Sequence, residues 1–238
     1  WQSRVDSYSW TLSSTGGEGT KTVEMEARDA LGNTASSSES IEYDLIDVEF
    51  LSVVQIDGVS GTADSNSLEL TFDTDPTTLT ADNITVTGAT KGVLSGTGIS
   101  RNLAISNITV DNGAHVTVEI VNPSGYSISG SPKSAVVYRR LYIGLSYQGG
   151  EIGYIYQSGD PGYVTGEVHG LIVAPSSFGM IYKWKTSRTS TPGTSTALGT
   201  GYANTYTHMA GTEHEVAEAC RNASYGGYHD WFLPSLEE

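Results

Sequence analysis

Ser67-Leu68-Glu69-Leu70-Thr71-Phe72 alternates polar and apolar side chains without a break. A strand turns successive side chains to opposite faces, so Leu68, Leu70 and Phe72 share one face and can meet a common core. The same period returns in Ile84 and Val86, in Leu103 and Ile105, and in Val116, Val118 and Ile120. Turn signals separate these runs: Asp75-Pro76, Gly96-Thr97-Gly98, Asp111-Asn112-Gly113 and Asn122-Pro123-Ser124-Gly125. Six or seven short strands in about 95 residues predict one antiparallel sandwich over residues 47–140. Leu70, Phe72, Val86, Ile105, Val118 and Ile120 are expected inside it.

Outward from this centre the pattern changes on both sides. Residues 1–46 hold Lys21-Thr22-Val23-Glu24-Met25-Glu26-Ala27-Arg28, in which Val23, Met25 and Ala27 alternate with polar neighbours. That is the mark of a half-buried strand. Asp29-Ala30-Leu31-Gly32-Asn33 turns the chain, and a second strand ends in Ile41-Glu42-Tyr43. These are the closing strands of an incomplete sandwich. In residues 141–238 Tyr and Gly become frequent and helix signals appear. Glu151–Tyr156 and Glu167–Ala174 flank the turn Asp160-Pro161-Gly162 and predict a hairpin. Thr212-Glu213-His214-Glu215 is a capping box, and the apolar spacing of Val216, Ala219, Cys220 and Ala223 predicts about three helical turns ending near Gly226. The fold class is therefore mainly β, with a partial α+β domain last. Ser235 and Glu238 would open a further helix with which the chain stops. Trp1-Gln2-Ser3 is no secretory leader. We therefore expect an internal piece of a longer polypeptide.

Composition limits the partners. Apolar residues make up 37% of the 238, and the net charge is −15. Three basic residues stand against eight acidic ones to residue 46, five against ten to residue 140, and four against nine beyond it. The acidity is spread evenly, which disfavours nucleic acid and anionic membrane surfaces. No run reaches the roughly 18 apolar residues of a membrane-spanning helix. One Cys, Cys220, leaves no disulfide within the chain.

Two resemblances sharpen these expectations. "ARDALGNTASSSESIEYD" (residues 27–44), "LTADNITVTGATKGVLSGTG" (79–98) and "PSGYSISGSPKSAVVY" (123–138) resemble immunoglobulin-like repeats of bacterial surface proteins, where such modules act as spacers. "YQGGEIGYIYQSGDPGYVTGEVHGLIVA" (147–174), "GTSTALGTGYANTYT" (193–207) and "GYHDWFLPSLEE" (227–238) resemble the C-terminal domain of the Legionella collagen-like adhesin family. That resemblance implies a bacterial, extracellular or cell-surface binding domain with a fold similar to C-type-lectin-like domains. It also implies a trimer and, in the founding adhesin, sulfated polysaccharide ligands. This chain departs from the family in having one Cys where two are common, and in its acidity, which opposes sulfated ligands.

No catalytic or metal-binding pattern stands out, and no cofactor is expected. His208, Glu213, His214 and Glu215 lack zinc spacing and fit a solvated helix surface. Asp73, Asp75 and Asp82 lack a calcium-loop frame and fit turns. Asp44 and Asp47, at the first domain junction, are the alternative place for calcium. Cys220, on the apolar helix face, fits a small buried hydrophobe. Glu213 and Asp230 would be the carboxylate pair of a polysaccharide hydrolase, the weakest of three functional readings. A stalk or oligomerisation module without its own ligand is the second. The first is ligand binding by the Gly-, Ser-, Thr- and Tyr-rich loops 186–211 and 224–230. Tyr202, Asn204, Tyr206, Tyr225 and His229 are the expected contacts, with an extracellular glycan or protein as ligand. Trp231 and Phe232, beside Leu233, are expected in the core.

Overall fold

The computed structural model describes residues 18–175, 181–187 and 189–238. The chain is mainly β, arranged in several sheets. Two compact units are distinguished: one runs to Ile56 and includes Ser67–Asn107 and Val116–Ala135, the other comprises Asp57–Asn66, Ile108–His115 and Val136–Glu238.

In the first unit β1 (Gly19–Arg28) and β2 (Thr34–Tyr43) form an antiparallel hairpin in continuous register from Gly19↔Tyr43 to Arg28↔Thr34. Asp29 organises its turn. The carboxylate accepts the Leu31 and Asn33 N–H groups and the Asn33 side-chain amide at 2.7–2.9 Å. These bonds, the Asn33 side-chain bond foremost, hold the Asp29 carboxyl below its ordinary value. The expectation that the Val23–Met25–Ala27 face is half-buried holds only for Val23; Met25 is 66% exposed and Ala27 is exposed. Alternation reports which side chains share a face, and tertiary packing decides whether that face is covered.

The next strands are β3 (Ile46–Ile56), β4 (Ser67–Phe72), β5 (Ile84–Thr87), β6 (Thr90–Ser95), β7 (Ser100–Ser106), β8 (His115–Ile120), β9 (Tyr126–Ser129) and β10 (Lys133–Val136). They form a five-stranded sheet in the order β6-β7-β4-β3-β9 and a three-stranded sheet in the order β10-β8-β5. Every second residue of β4, β7 and β8 is buried: Leu68, Leu70 and Phe72; Arg101, Leu103 and Ile105; Val116, Val118 and Ile120. Phe50 and Phe72 stack at 5.4 Å between centroids. This sandwich-like core contains five of the six residues expected inside. Val86 is the exception and is half-buried, because β5 is a four-residue strand at the end of its sheet. An entirely antiparallel arrangement was expected, but β3 pairs in parallel with β9, from Ile46↔Tyr126 to Glu49↔Ser129. From Phe50 onward β3 pairs antiparallel with β4, across a bulge between Phe50 and Ser52, so one strand serves two neighbours of opposite sense. Strand β6 was not legible in the alternation. It lies at a sheet edge and buries none of its residues fully.

In the second unit β11 (Ser146–Tyr147), β12 (Gly150–Ile155) and β13 (Gly170–Val173) form an antiparallel sheet, so the predicted hairpin is present. A bulge between Ile152 and Tyr154 leaves Gly153 out of the pairing. Helix α1 (Gly201–Ala203) runs straight into a π-helical turn, Asn204–His208, and α2 spans Glu215–Arg221.

Helix α2 is shorter than predicted and is not capped by Thr212. His214 occupies the N-cap position without a side-chain cap bond, and Glu215 accepts the Lys183 N–H at 3.1 Å. Tertiary attachment has taken the carboxylate that the capping box required. The helix stops at Arg221 because the chain must turn through Tyr225–Tyr228, where Gly226 lies 2.5 Å, measured from an added Cβ, from the Gly149 Cα. A side chain at either glycine would collide with opposing backbone.

Candidate functional site

The two loops expected to carry recognition meet through one side chain. The Tyr206 hydroxyl can donate to the carbonyls of His229 and Trp231, each at 3.2 Å. Tyr202, four residues earlier, stacks on the Tyr206 ring and meets Phe232 edge-on at 6.1 Å. The helical turn sets this spacing, since residues four apart lie on one helical face. Tyr202 is half exposed, His229 is exposed, and Tyr206 and Tyr225 are half-buried. Burial, then the neighbouring Tyr202 and Asp230, push the Tyr206 hydroxyl above its ordinary value.

Asn204 serves differently. It is buried, and its side chain accepts the Ser195 N–H at 2.9 Å and donates to the Ser195 carbonyl at 2.7 Å. Both ends of the amide are spent on fixing the loop, so Asn204 shapes the surface from beneath. Arg221 reinforces it from α2, donating to the carbonyls of Thr205, Met209 and Ala210. The buried Thr205 hydroxyl accepts the Leu233 N–H at 2.9 Å. The loops therefore rest on a hydrogen-bonded frame.

Beside this surface lies a cavity of about 630 Å³. Tyr154, Tyr225, Tyr228, Trp231 and Phe232 line it, with the aliphatic side chains of β13. Trp231 and Phe232 are half-buried cavity walls, where the sequence pointed to core. Several rings are anchored by their polar atoms. The Trp231 indole N–H donates to the Tyr228 carbonyl at 3.0 Å, Tyr154 O–H to Asp160 at 2.8 Å, and Tyr228 O–H to Asp111 at 3.3 Å. Trp231 and Tyr225 meet edge-to-face at 5.2 Å. The Tyr154 hydroxyl is held above its ordinary value chiefly by its bond to Asp160, and that of Tyr228 chiefly by burial and then by Asp111.

The other candidate residues fall into structural places. His214 is buried, contrary to the solvated position expected for it. Its Nε2 lies 2.9 Å from Thr191 Oγ1, while Nδ1 has no hydrogen-bond partner among the described residues and sits 4.0 Å from Glu213 Oε1. Glu213 stands 3.6 Å from Lys185. Cys220 is buried, and burial raises its thiol pKa. Asp75 pairs with Arg101, and Asp73 accepts the Glu49 N–H at 2.7 Å, so two carboxylates of the acidic loop hold the protein itself. Among the described residues no three His, Cys, Asp or Glu side chains converge as a metal site, and no helix is long and apolar enough to cross a membrane. At Ser235 half of the expected capping box is formed. Its N–H donates to Glu238 Oε2 at 2.6 Å, but its hydroxyl donates to the Ala197 carbonyl. No protein-family model, curated protein or solved structure matches the chain.

Proposed function

We propose that this chain belongs to a bacterial cell-surface or secreted protein, in which immunoglobulin-like modules act as spacers for a ligand-binding domain resembling that of the collagen-like adhesins. The observation that supports this reading is the junction made by Tyr206. It joins loops 186–211 and 224–230 into one surface and presents the stacked Tyr202 ring at its edge. Flat aromatic faces held in place by hydrogen bonds give contact area at small entropic cost. Small polar residues between them supply donors and acceptors for hydroxyl or amide groups.

The charge of −15 favours a neutral glycan or a protein over sulfated chains. A glycan array and a protein pull-down with the wild-type chain, beside a Tyr202→Ala/Tyr206→Ala variant, test the proposal. Capture that is lost in the variant supports it. Tight heparin binding, or capture indifferent to both tyrosines, overturns it. A stable trimer that captures nothing would favour the stalk and assembly function.

A further inference from the structure

The cavity beside that surface has a chemistry of its own. Three of its rings, Tyr228, Tyr154 and Trp231, are fixed by the bonds to Asp111, Asp160 and the Tyr228 carbonyl, and Tyr225 packs edge-to-face against Trp231, so the aromatic wall is set before any ligand arrives. Among the described residues no Lys, Arg or His side chain lines it, while Asp230 and Glu238 do. Glu238 is occupied, accepting the N–H groups of Ser235 and Gly199. The exposed Asp230 carboxylate accepts no hydrogen bond from a described residue. It is therefore an available charge beside a wall of aromatic rings. The aliphatic side chains of β13 make one wall apolar, which favours a ligand with an apolar body over one covered in hydroxyls.

We propose that this cavity binds a small organic cation, an ammonium group carried on an apolar or aromatic body. The negative ring faces of Tyr225, Tyr228 and Trp231 attract a weakly hydrated ammonium, and Asp230 supplies the counter-charge. The aliphatic wall takes the body of the ligand. Loop 224–230 contributes Tyr225, Tyr228 and Asp230 to this site, but the proposal goes beyond the loop surface and does not depend on that surface binding a ligand.

Benzyltrimethylammonium is a direct probe, titrated into the wild-type chain and followed by calorimetry and by the Trp231 indole N–H signal. Benzyl alcohol, benzenesulfonate and methyl glucoside serve as neutral, anionic and sugar comparators. Saturable binding of the cation alone, with movement of the Trp231 signal, is expected. Asp230→Asn should weaken it about threefold to tenfold, the range of a cation–π site with a partly solvated counter-charge. Because the Asp230 carboxylate holds no described residue in place, this variant tests charge without disturbing the fold. Trp231→Phe keeps a smaller ring and should weaken binding by a lesser factor. Equal binding of benzyl alcohol, preferred binding of the glucoside, an unmoved Trp231 signal, or affinity unchanged in Asp230→Asn would each overturn the proposal. The array and pull-down assays read the loop surface and the ammonium titration reads the cavity, so either proposal can fail while the other stands.

Discussion

Tyr202 and Tyr206 stack with ring centroids 4.4 Å apart and planes 18° from parallel, and the hydroxyl of Tyr206 reaches two carbonyls of the last loop. The pair is thus a joint between two segments as well as an aromatic face. Tyr206→Phe keeps the ring and removes the donor. It should lower stability by about 1 kcal/mol, the usual net contribution of such a bond. Urea denaturation reads this directly, and an unchanged midpoint would show that the hydroxyl does not tie the loops together.

Leu70 and Val118 are fully buried in the sandwich-like core, on β4 and β8. Leu70→Ala should destabilise the chain by about 2–5 kcal/mol through lost burial and the cavity left behind. Val118→Asp should prevent folding of the first unit, since a buried charge finds no partner at that position. Circular dichroism with thermal melting distinguishes these outcomes. A wild-type melting profile for Val118→Asp would mean that β8 is held in another register.

Arg101 is buried, with its side chain only 6% exposed, and it meets the Asp75 carboxylate at 2.5 Å. Its other guanidinium nitrogen donates to the Gly98 and Ser100 carbonyls. Asp75→Ala leaves a buried cation with carbonyl partners only. Because Asp75 itself is 39% exposed, solvent screens part of the loss, and about 1–3 kcal/mol is expected. Adding Arg101→Met to Asp75→Ala should recover part of that loss. Double-mutant denaturation that shows strict additivity would rule out coupling between the two.

Burial raises the Cys220 thiol and the Tyr147 and Tyr206 hydroxyls, and Asp160 raises that of Tyr154. Each of these acids holds its proton more tightly in the folded chain than in the unfolded one. Their contribution is therefore complete below the unfolded values, 9.0 for the thiol and 10.0 for the phenols, and is lost as pH rises beyond them. Denaturation midpoints should be level with respect to these groups at pH 8 and fall from about pH 9 upward. The Cys220 thiol should also react slowly with a disulfide reagent until the chain is unfolded. Stability that rises between pH 9 and 11, or rapid labelling of the folded chain, would contradict the burial.

The sequence by itself determined the strands whose alternation is strong, and therefore the mainly-β class. Leu68 to Phe72, Leu103 to Ile105 and Val116 to Ile120 lie where the period places them, because one-sided burial leaves a record in every second residue. It also located the hairpin of β12 and β13, through the turn residues between two apolar runs. Only the tertiary structure decided what those faces meet. The period is present in Val23, Met25 and Ala27, yet Met25 is exposed. It is absent from β6, yet β6 pairs with β7 through backbone groups that every residue carries. Glu215 was legible as a cap and instead holds Lys183, and His214 reads as surface and is buried, since both depend on segments distant in sequence. The candidate site divides in the same way. Tyr202, Tyr206 and Tyr225 were legible as aromatic rings in polar loops, whereas the cavity walls of Trp231 and Phe232 were not. A cavity is space between segments distant along the chain, and local sequence records only the side chains available to surround it.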